Sequence, residues 1–416
     1  MRDFAIVHKA GKSGTSIPRK GSYFIGALYL FVGVSTSTIL FAAPLKALDL
    51  GASEVVVGGL VSSFASTGLI LSFTGAAMCN RFGERAMIAV AFASYILGQV
   101  VAALARSPEC LLLAAAAAGV GDMLFTIGGM MYLTQTANNQ GKELLISAAL
   151  SLLRCGSVLG SAVAGRMAEA FGYPSVFLIG GLISMGGITV ALGLPKRDVS
   201  LPAGRFDYWS SLAAYRSGLR LLRDNPMVRL VAILTVLSTV GWFTFTSSFY
   251  LNHLRLVGMT KATMGLVVAV GSAATVVAPF VYSLLTRCAP PVGIILSGSL
   301  CAGLGLAMSP FLFKPLSLGL VAVLARTGDT LRMPGVFSLL GMHTDPDDRP
   351  ISMAIVNTSW AVAALCAGPV WGLLAGVVGL SATFLAAGFG TMVAAGILWK
   401  LDRSADYAGQ NQRADH

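Results

Sequence analysis

Charge is what this sequence has least of. Only 11% of its 416 residues are charged, against about 25% in a soluble globular domain. A soluble fold of this length would have almost nothing to cover its surface with. Histidine is scarcer still: His8, His253, His343 and His416 lie far apart, and no HExxH, GxSxG or paired-carboxylate motif occurs, which argues against an enzyme. No GxxxxGK[ST] loop is present, so the chain holds no ATP site of its own and is not a primary pump. The six cysteines (79, 110, 155, 288, 301 and 366) fall singly, with no CxxC and no Cys/His cluster. They read as free thiols, with no metal site and no cofactor.

What is present is apolar. Hydrophobic residues make up 55% of the chain, glycine occurs 48 times and the mean hydropathy is +0.77. Crossing a hydrocarbon layer about 30 Å thick takes about 20 apolar residues. Twelve such runs are expected, near 22–47, 55–79, 86–105, 110–135, 144–168, 175–194, 227–252, 262–285, 291–312, 315–341, 351–376 and 380–400. The fold class is therefore an all-α membrane protein, with small residues letting helices approach closely. The expected organisation is a disordered tail (1–21), a six-helix bundle (22–194), a polar central loop (195–226), a second six-helix bundle (227–400) and a C-tail (401–416). Within the loop, the run from Tyr208 to Arg223 (YWSSLAAYRSGLRLLR) predicts an amphipathic helix lying on the membrane surface, with its Arg residues toward anionic lipid.

The net charge of +11 does not point to nucleic acid, because the basic residues sit in short segments beside apolar runs. With both termini inside, twenty Lys and Arg fall on the inner side and six on the outer. This bias places both ends in the cytoplasm of a cell carrying the chain in its inner membrane. The halves also repeat at an offset of 207 residues: Gly172, Phe177, Leu178 and Gly181 match Gly379, Phe384, Leu385 and Gly388, and Gly121-Asp122 matches Gly328-Asp329. Six-plus-six parallel repeats belong to one large class of secondary transporters.

The segment after the second span, Ala76-Ala77-Met78-Cys79-Asn80-Arg81-Phe82-Gly83-Glu84-Arg85, resembles the loop signature of the major facilitator superfamily. Arg81, Gly83 and Arg85 match it, whereas Asn80 stands where Asp is usual and Ala76 where Gly is usual. With twelve spans, a basic central loop and two related halves, the resemblance covers nearly the whole chain. It implies two pseudo-symmetric bundles rocking about a central site, with the first, fourth, seventh and tenth spans lining the cavity. The drug antiporters of that family often carry Gly-Pro-x-x-Gly-Gly in the fifth span and Arg in the fourth. Here the fifth span reads GSVLGSAVAGRM, Ala115 stands near the Arg position, and a Gly368-Pro369-Val370-Trp371-Gly372 run lies in the eleventh span.

Five ionisable residues fall inside spans: Asp122, Arg154, Arg326, Asp329 and Arg332. A charge at mid-bilayer costs roughly 2.5–3.5 kcal/mol on insertion scales, so such groups face protein or water and have partners. Asp122 and Arg154 lie at similar depth on neighbouring spans and are expected to pair, while Asp329 can serve both Arg326 and Arg332. Two readings stand: helix-packing ion pairs, or a transport site in which Asp122, and second Asp329, exchanges an arginine partner for a proton. Further cavity candidates are Thr239, Trp242, Phe243 and Thr246 on the seventh span, with Tyr250 reading rather as an interface anchor. Ser35 and Thr38, in line with Phe24, Phe31 and Ala42, stand on the first. Asn357 and Trp360 on the eleventh are lesser candidates, and Gln99 on the third reads as a packing hydrogen bonder. Asp345, Asp347 and Asp348 read as a helix-capping turn, not a cation site.

The expected function is secondary active transport of a small organic solute by alternating access, proton-coupled and directed outward, by a monomer. Uptake of a small anion is the nearest alternative, since arginines in the spans offer a carboxylate or phosphate a bidentate partner. A membrane sensor or a non-transporting protein on the same frame is the alternative of another class, although no soluble signalling domain is attached.

Overall fold

The computed structural model describes residues 19–136, 142–195, 208–246, 248–342, 344 and 349–414. They form helices α1 (Arg19–Asp49), α2 (Glu54–Phe82), α3 (Glu84–Leu104), α4 (Pro108–Thr136), α5 (Lys142–Ala170), α6 (Tyr173–Leu192), α7 (Tyr208–Asp224), α8 (Pro226–Thr246), α9 (Ser248–Leu256), α10 (Lys261–Leu285), α11 (Pro291–Met308), α12 (Pro315–Met342), α13 (Arg349–Val378) and α14 (Leu380–Ala414). Helices α8 and α9 together make the seventh span. Among the described residues, ten spans are long and apolar enough to cross a membrane by length and composition. The other two are α2, whose described apolar stretch is Glu54–Leu69, and α12, which carries Arg326, Asp329 and Arg332 in its middle. Helix α14 runs on to Ala414, so the segment expected as a separate tail from 401 continues the last helix. The tail 1–18 and the turn holding His343, Asp345, Asp347 and Asp348 lie outside the described residues. Helix α7 packs Leu221 and Leu222 against the base of the second bundle.

The repeat is written in the backbone. Four of the five glycines with positive φ are two pairs at the 207-residue offset, Gly51 with Gly258 and Gly172 with Gly379. These conformations favour a residue without Cβ. Two residues on from the first pair, Ser53 and Thr260 cap α2 and α10 by accepting from Val56 N and Thr263 N. Lys46 donates to the Ala102 carbonyl at the end of α3 at 2.7 Å and lies over the Phe177 ring. At the equivalent positions His253 meets the Ser309 carbonyl at 3.0 Å and packs on Phe384. In each half a basic side chain thus ties the end of one helix to an aromatic ring on another; the Ala102 carbonyl has no partner in its own helix, and that of Ser309 also accepts from Leu312 N at 3.3 Å.

Among the described residues, the close backbone contacts between the two halves lie on the face away from Arg19 and Ala414. A β-carbon on Gly58 would run into the Gly368 carbonyl, and one on Gly165 would fall 2.6 Å from that of Lys261. These contacts need bare backbone. Ser62 donates to the Leu365 carbonyl, Asn252 to Glu54, and the Ala262 N–H to Glu169. Asp49 accepts from Tyr173 at 2.6 Å and pairs with Arg255 at 3.0 Å and Lys261 at 3.5 Å. At nearly 40% exposure for Arg255 and Asp49, that ion pair is worth about 0.2–1 kcal/mol. Close helix packing, rather than charge, therefore seals the seam.

Gly265→Leu should wedge this seam open. In a background lacking the native cysteines, a cysteine placed at Ala168 should react several-fold faster with a membrane-impermeant maleimide when Gly265→Leu is present. Equal rates would mean that the seam does not depend on this approach.

Candidate functional site

The seam indicates which faces look into the gap between the halves. Arg154 lies eleven residues before Gly165 on α5, and at about 100° per residue it projects along nearly the same face, three turns further in. At that depth Arg154 is exposed although it stands mid-span. By the same periodicity Asn357 lies two turns inward of Ala364, whose carbonyl meets Ser62 of the other half, and Asn357 is also exposed. Trp360 beside it is 38% exposed and its ring lies 5.3 Å from that of Phe243.

Asp122 is half-buried on α4, placed where Gly121 lets α4 press against Ala91 and Tyr95 of α3. Its Oδ1 accepts a 2.9 Å hydrogen bond from the Tyr95 hydroxyl, which also meets Thr36 Oγ1 at 2.8 Å. Asp122, Tyr95 and Thr36 thus form one chain across three helices. The expected ion pair with Arg154 is not closed: no N···O distance within 4 Å joins them, and Arg154 senses Asp329 electrostatically as well as Asp122. On α12, Gly328 presses against the Gly298 carbonyl of α11, the repeat image of Gly121 against Ala91. Asp329 accepts from Arg332 at 2.5 Å, and Arg332, 3% exposed, also donates to Ser238 of α8. The guanidinium of Arg326 has no hydrogen bond or ion pair among the described residues; its Nε is buried and unpartnered. The idea that Asp329 serves both arginines therefore holds for Arg332 alone.

Other expectations are corrected by packing. Ser35 and Thr38 do not line the gap. Both are fully buried inside the first bundle, Ser35 against Ser184 at 2.9 Å and Thr38 receiving a bond from Gln99 at 3.0 Å. Their face of α1 packs on α6, with Phe31 against Gly186. Gln99 is the packing hydrogen bonder that was expected. Thr239 is likewise fully buried, with an unpartnered hydroxyl. Tyr250 is no interface anchor: it is 1% exposed, donates to the Leu318 carbonyl and packs edge-on to Phe384. Phe243 is buried, and Trp242 is partly buried against the core. The side chains of Thr246 and Asn80 lie outside the described residues.

Gly83 joins α2 to α3 at φ 80°, ψ 156°, a region open essentially to glycine alone. Its position in the loop motif follows from this turn. Arg81 is exposed over the Phe82 ring, and Arg85 is half-buried at the start of α3. Tyr95, Thr36 and Ser238 hold the buried charges but carried no motif. A lone tyrosine at mid-span, opposite Ala302 in the repeat, was the available signal for Tyr95.

This architecture has a known counterpart. The family model described as Major Facilitator Superfamily matches residues 25–340 and 257–415. The chain belongs to the major facilitator superfamily and is a multi-pass membrane transporter, not an enzyme. It is 21% identical to the uncharacterized MFS-type transporter YqjV of Bacillus subtilis over 337 residues, 80% of each chain. It is 27% identical to the multidrug efflux pump LfrA of Mycolicibacterium smegmatis over 151 residues, 36% of this chain and 30% of that one. Among solved structures, the nucleoside transporter NupG superposes with a TM-score of 0.75 at 12% identity, covering 91% of this chain and 98% of that one.

The two carboxylates differ in what their loss would leave. Removing one partner of a buried ion pair costs about 3–5 kcal/mol, whereas losing part of a neutral donor's bond costs about 1 kcal/mol. Asp329→Asn should therefore lower the unfolding temperature of the purified protein clearly more than Asp122→Asn. Adding Arg332→Met to Asp329→Asn should recover most of that loss. Equal shifts for the two single variants would contradict this account.

Proposed function

We propose that the chain exports a small organic solute across the cytoplasmic membrane in exchange for protons, as a monomer working by alternating access. The observation that carries this reading is a pair of related bundles sealed together on one face, with Arg154 exposed at mid-span, an unpartnered Arg326 in the other half and a carboxylate held by a tyrosine. The excess of Lys and Arg on the face of the termini supports a cytoplasmic placement of both ends. On that placement the described conformation is closed toward the outside. The bundles 22–194 and 227–400 then move as units, joined by the 195–226 segment, whose amphipathic helix rests on the inner leaflet.

Asp122 is the proposed proton carrier. Taking up a proton would leave its partner Tyr95 a neutral hydroxyl, with no stranded charge. Asp329 is the lesser candidate, because neutralising it strands Arg332 in the bundle core. Outward direction is supported by the partial similarity to LfrA, named as a multidrug efflux pump, and by the aromatic Phe243 and Trp360 beside the gap. Uptake of a small anion is the second reading, favoured by the unpartnered guanidinium groups of Arg154 and Arg326.

Reconstitution into vesicles with an imposed pH gradient tests the coupling. Solutes added singly should dissipate the gradient, followed with a trapped pH dye, and accumulate against their own gradient. Asp122→Asn should abolish gradient-driven accumulation and leave solute counterflow largely intact. Unchanged uphill transport in that variant would remove Asp122 from the coupling step.

A further inference from the structure

We propose that Arg154 and Arg326 form a two-sided clamp for the carboxylate or phosphate oxygens of a small organic anion, one guanidinium coming from each half. This rests on the transporter reading of the same gap and names the class of its cargo.

The charges are partnered unevenly. Asp122 is engaged by Tyr95, and Asp329 by Arg332, which is itself tied to Ser238. Arg332 is thereby set apart from binding: it is buried, and each of its terminal nitrogens donates to a partner within the second bundle. Arg154 and Arg326 remain, neither with a side-chain hydrogen bond or ion pair among the described residues. Arg154 projects from α5 on the face that meets the other half, and is exposed in the gap. The stem of Arg326 passes over Gly271 of α10, where a β-carbon would fall 3.3 Å from its Cδ, and its Nε is buried without an acceptor. The two are close enough to act on each other electrostatically. Two like charges held together at mid-bilayer are costly unless an anion or water answers them.

The total points the same way. The five in-span charges sum to +1, so one bound negative charge brings the layer to neutrality. Neither arginine is an inheritance of the repeat, since the positions equivalent to Arg154 and Arg326 hold Ala361 and Gly119. The shared scaffold supplies the Gly-Asp pairs, whereas each arginine stands in one half alone. Arginine also suits the task, because its planar fork of donors matches a carboxylate or phosphate edge to edge. A clamp whose jaws sit on separate bundles draws those bundles together when filled, which couples cargo binding to the rocking motion. Trp360, exposed and backed by the buried Phe243 ring, offers an apolar wall to the remainder of an organic anion.

The test uses the purified full chain in a non-ionic detergent, with benzoate and phenyl phosphate as probes and benzamide as the uncharged counterpart of benzoate. Binding is read as quenching of tryptophan fluorescence and as thermal stabilisation. Benzoate or phenyl phosphate should bind, and benzamide should bind at least tenfold more weakly. Arg154→Gln and Arg326→Gln should each weaken anion binding at least tenfold and leave benzamide binding unchanged. Arg154→Lys should recover only part of the loss, and Arg166→Gln, at an exposed position near the outer end of α5, should have no effect. Because Arg154 is exposed and unpartnered, its removal leaves the fold intact, and that variant remains decisive if Arg326→Gln proves unstable. Equal binding of benzoate and benzamide, or no effect of Arg154→Gln, would overturn the clamp. So would stabilisation by anionic phospholipid in nanodiscs without any by the soluble anions, which would make the occupant a lipid headgroup. If anions bind as expected but no solute moves in vesicles, the clamp stands and the transporter reading fails. If uncharged solutes are transported while anions neither bind nor move, transport stands and the clamp fails.

Discussion

Helices surrounded by lipid gain nothing from hiding apolar side chains from one another, so their association depends on how closely their backbones can approach. Here that approach is made at glycine, at two levels. Within each bundle, Gly98 presses on Ala118 and Gly121 on Ala91; 207 residues later Gly305 presses on Ala325 and Gly328 on Gly298. Between the bundles, Gly58 meets Gly368 and Gly165 meets Gly265. The first set fixes each bundle as a unit. The second set is confined to one face, and its flanking ion pairs are exposed and weak. A contact built from van der Waals approach over a few turns can part and re-form, which a seam locked by buried charge pairs could not do at similar cost.

The same glycines place the charges. Gly121 and Gly328 precede Asp122 and Asp329, so pressing α4 on α3 and α12 on α11 sets each carboxylate at a fixed depth and angle. What each carboxylate then meets depends on residues that the repeat does not share. Asp122 finds Tyr95, whose counterpart is Ala302. Asp329 finds Arg332, whose counterpart is Phe125.

The architecture was legible because lipid leaves few choices. Twelve apolar runs and the 207-residue repeat give an all-helical membrane fold in two halves from composition and spacing, and the loop around Gly83 adds the family resemblance. The in-span charges were also legible, since any charge there is conspicuous. Their partners were not. Asp122 and Arg154 share a depth, but depth does not say which way a side chain turns. The α1 face holding Ser35 and Thr38 satisfies the pattern of a polar stripe on a cavity wall as well as that of a buried contact with α6. Helical periodicity groups residues on a face without naming what that face touches. Tyr250 failed for a related reason: a tyrosine near a span end fits an interface anchor until Leu318 and Phe384 are known to close over it.

The repeat shows most where it breaks. In the first bundle Phe92 fills the space over Gly187 and packs edge-on to Phe125. The equivalent residues in the second bundle are Ser299, Ala394 and Arg332, which line a small pocket together with Thr235 and Ser238. An aromatic core has thus become a polar one at the same place in the fold. That exchange gives Asp329 a permanent cationic partner and denies it a free one, because parting the pair would strand a guanidinium that is only 3% exposed. Asp122, surrounded by the aromatic version of the same core, has only hydroxyl partners and can change charge without stranding any. Two carboxylates placed alike by symmetry are in this way separated in role by their neighbours. On the proposed reading one is free to carry a proton, while the other holds its bundle rigid as the arginines of the gap close on their cargo.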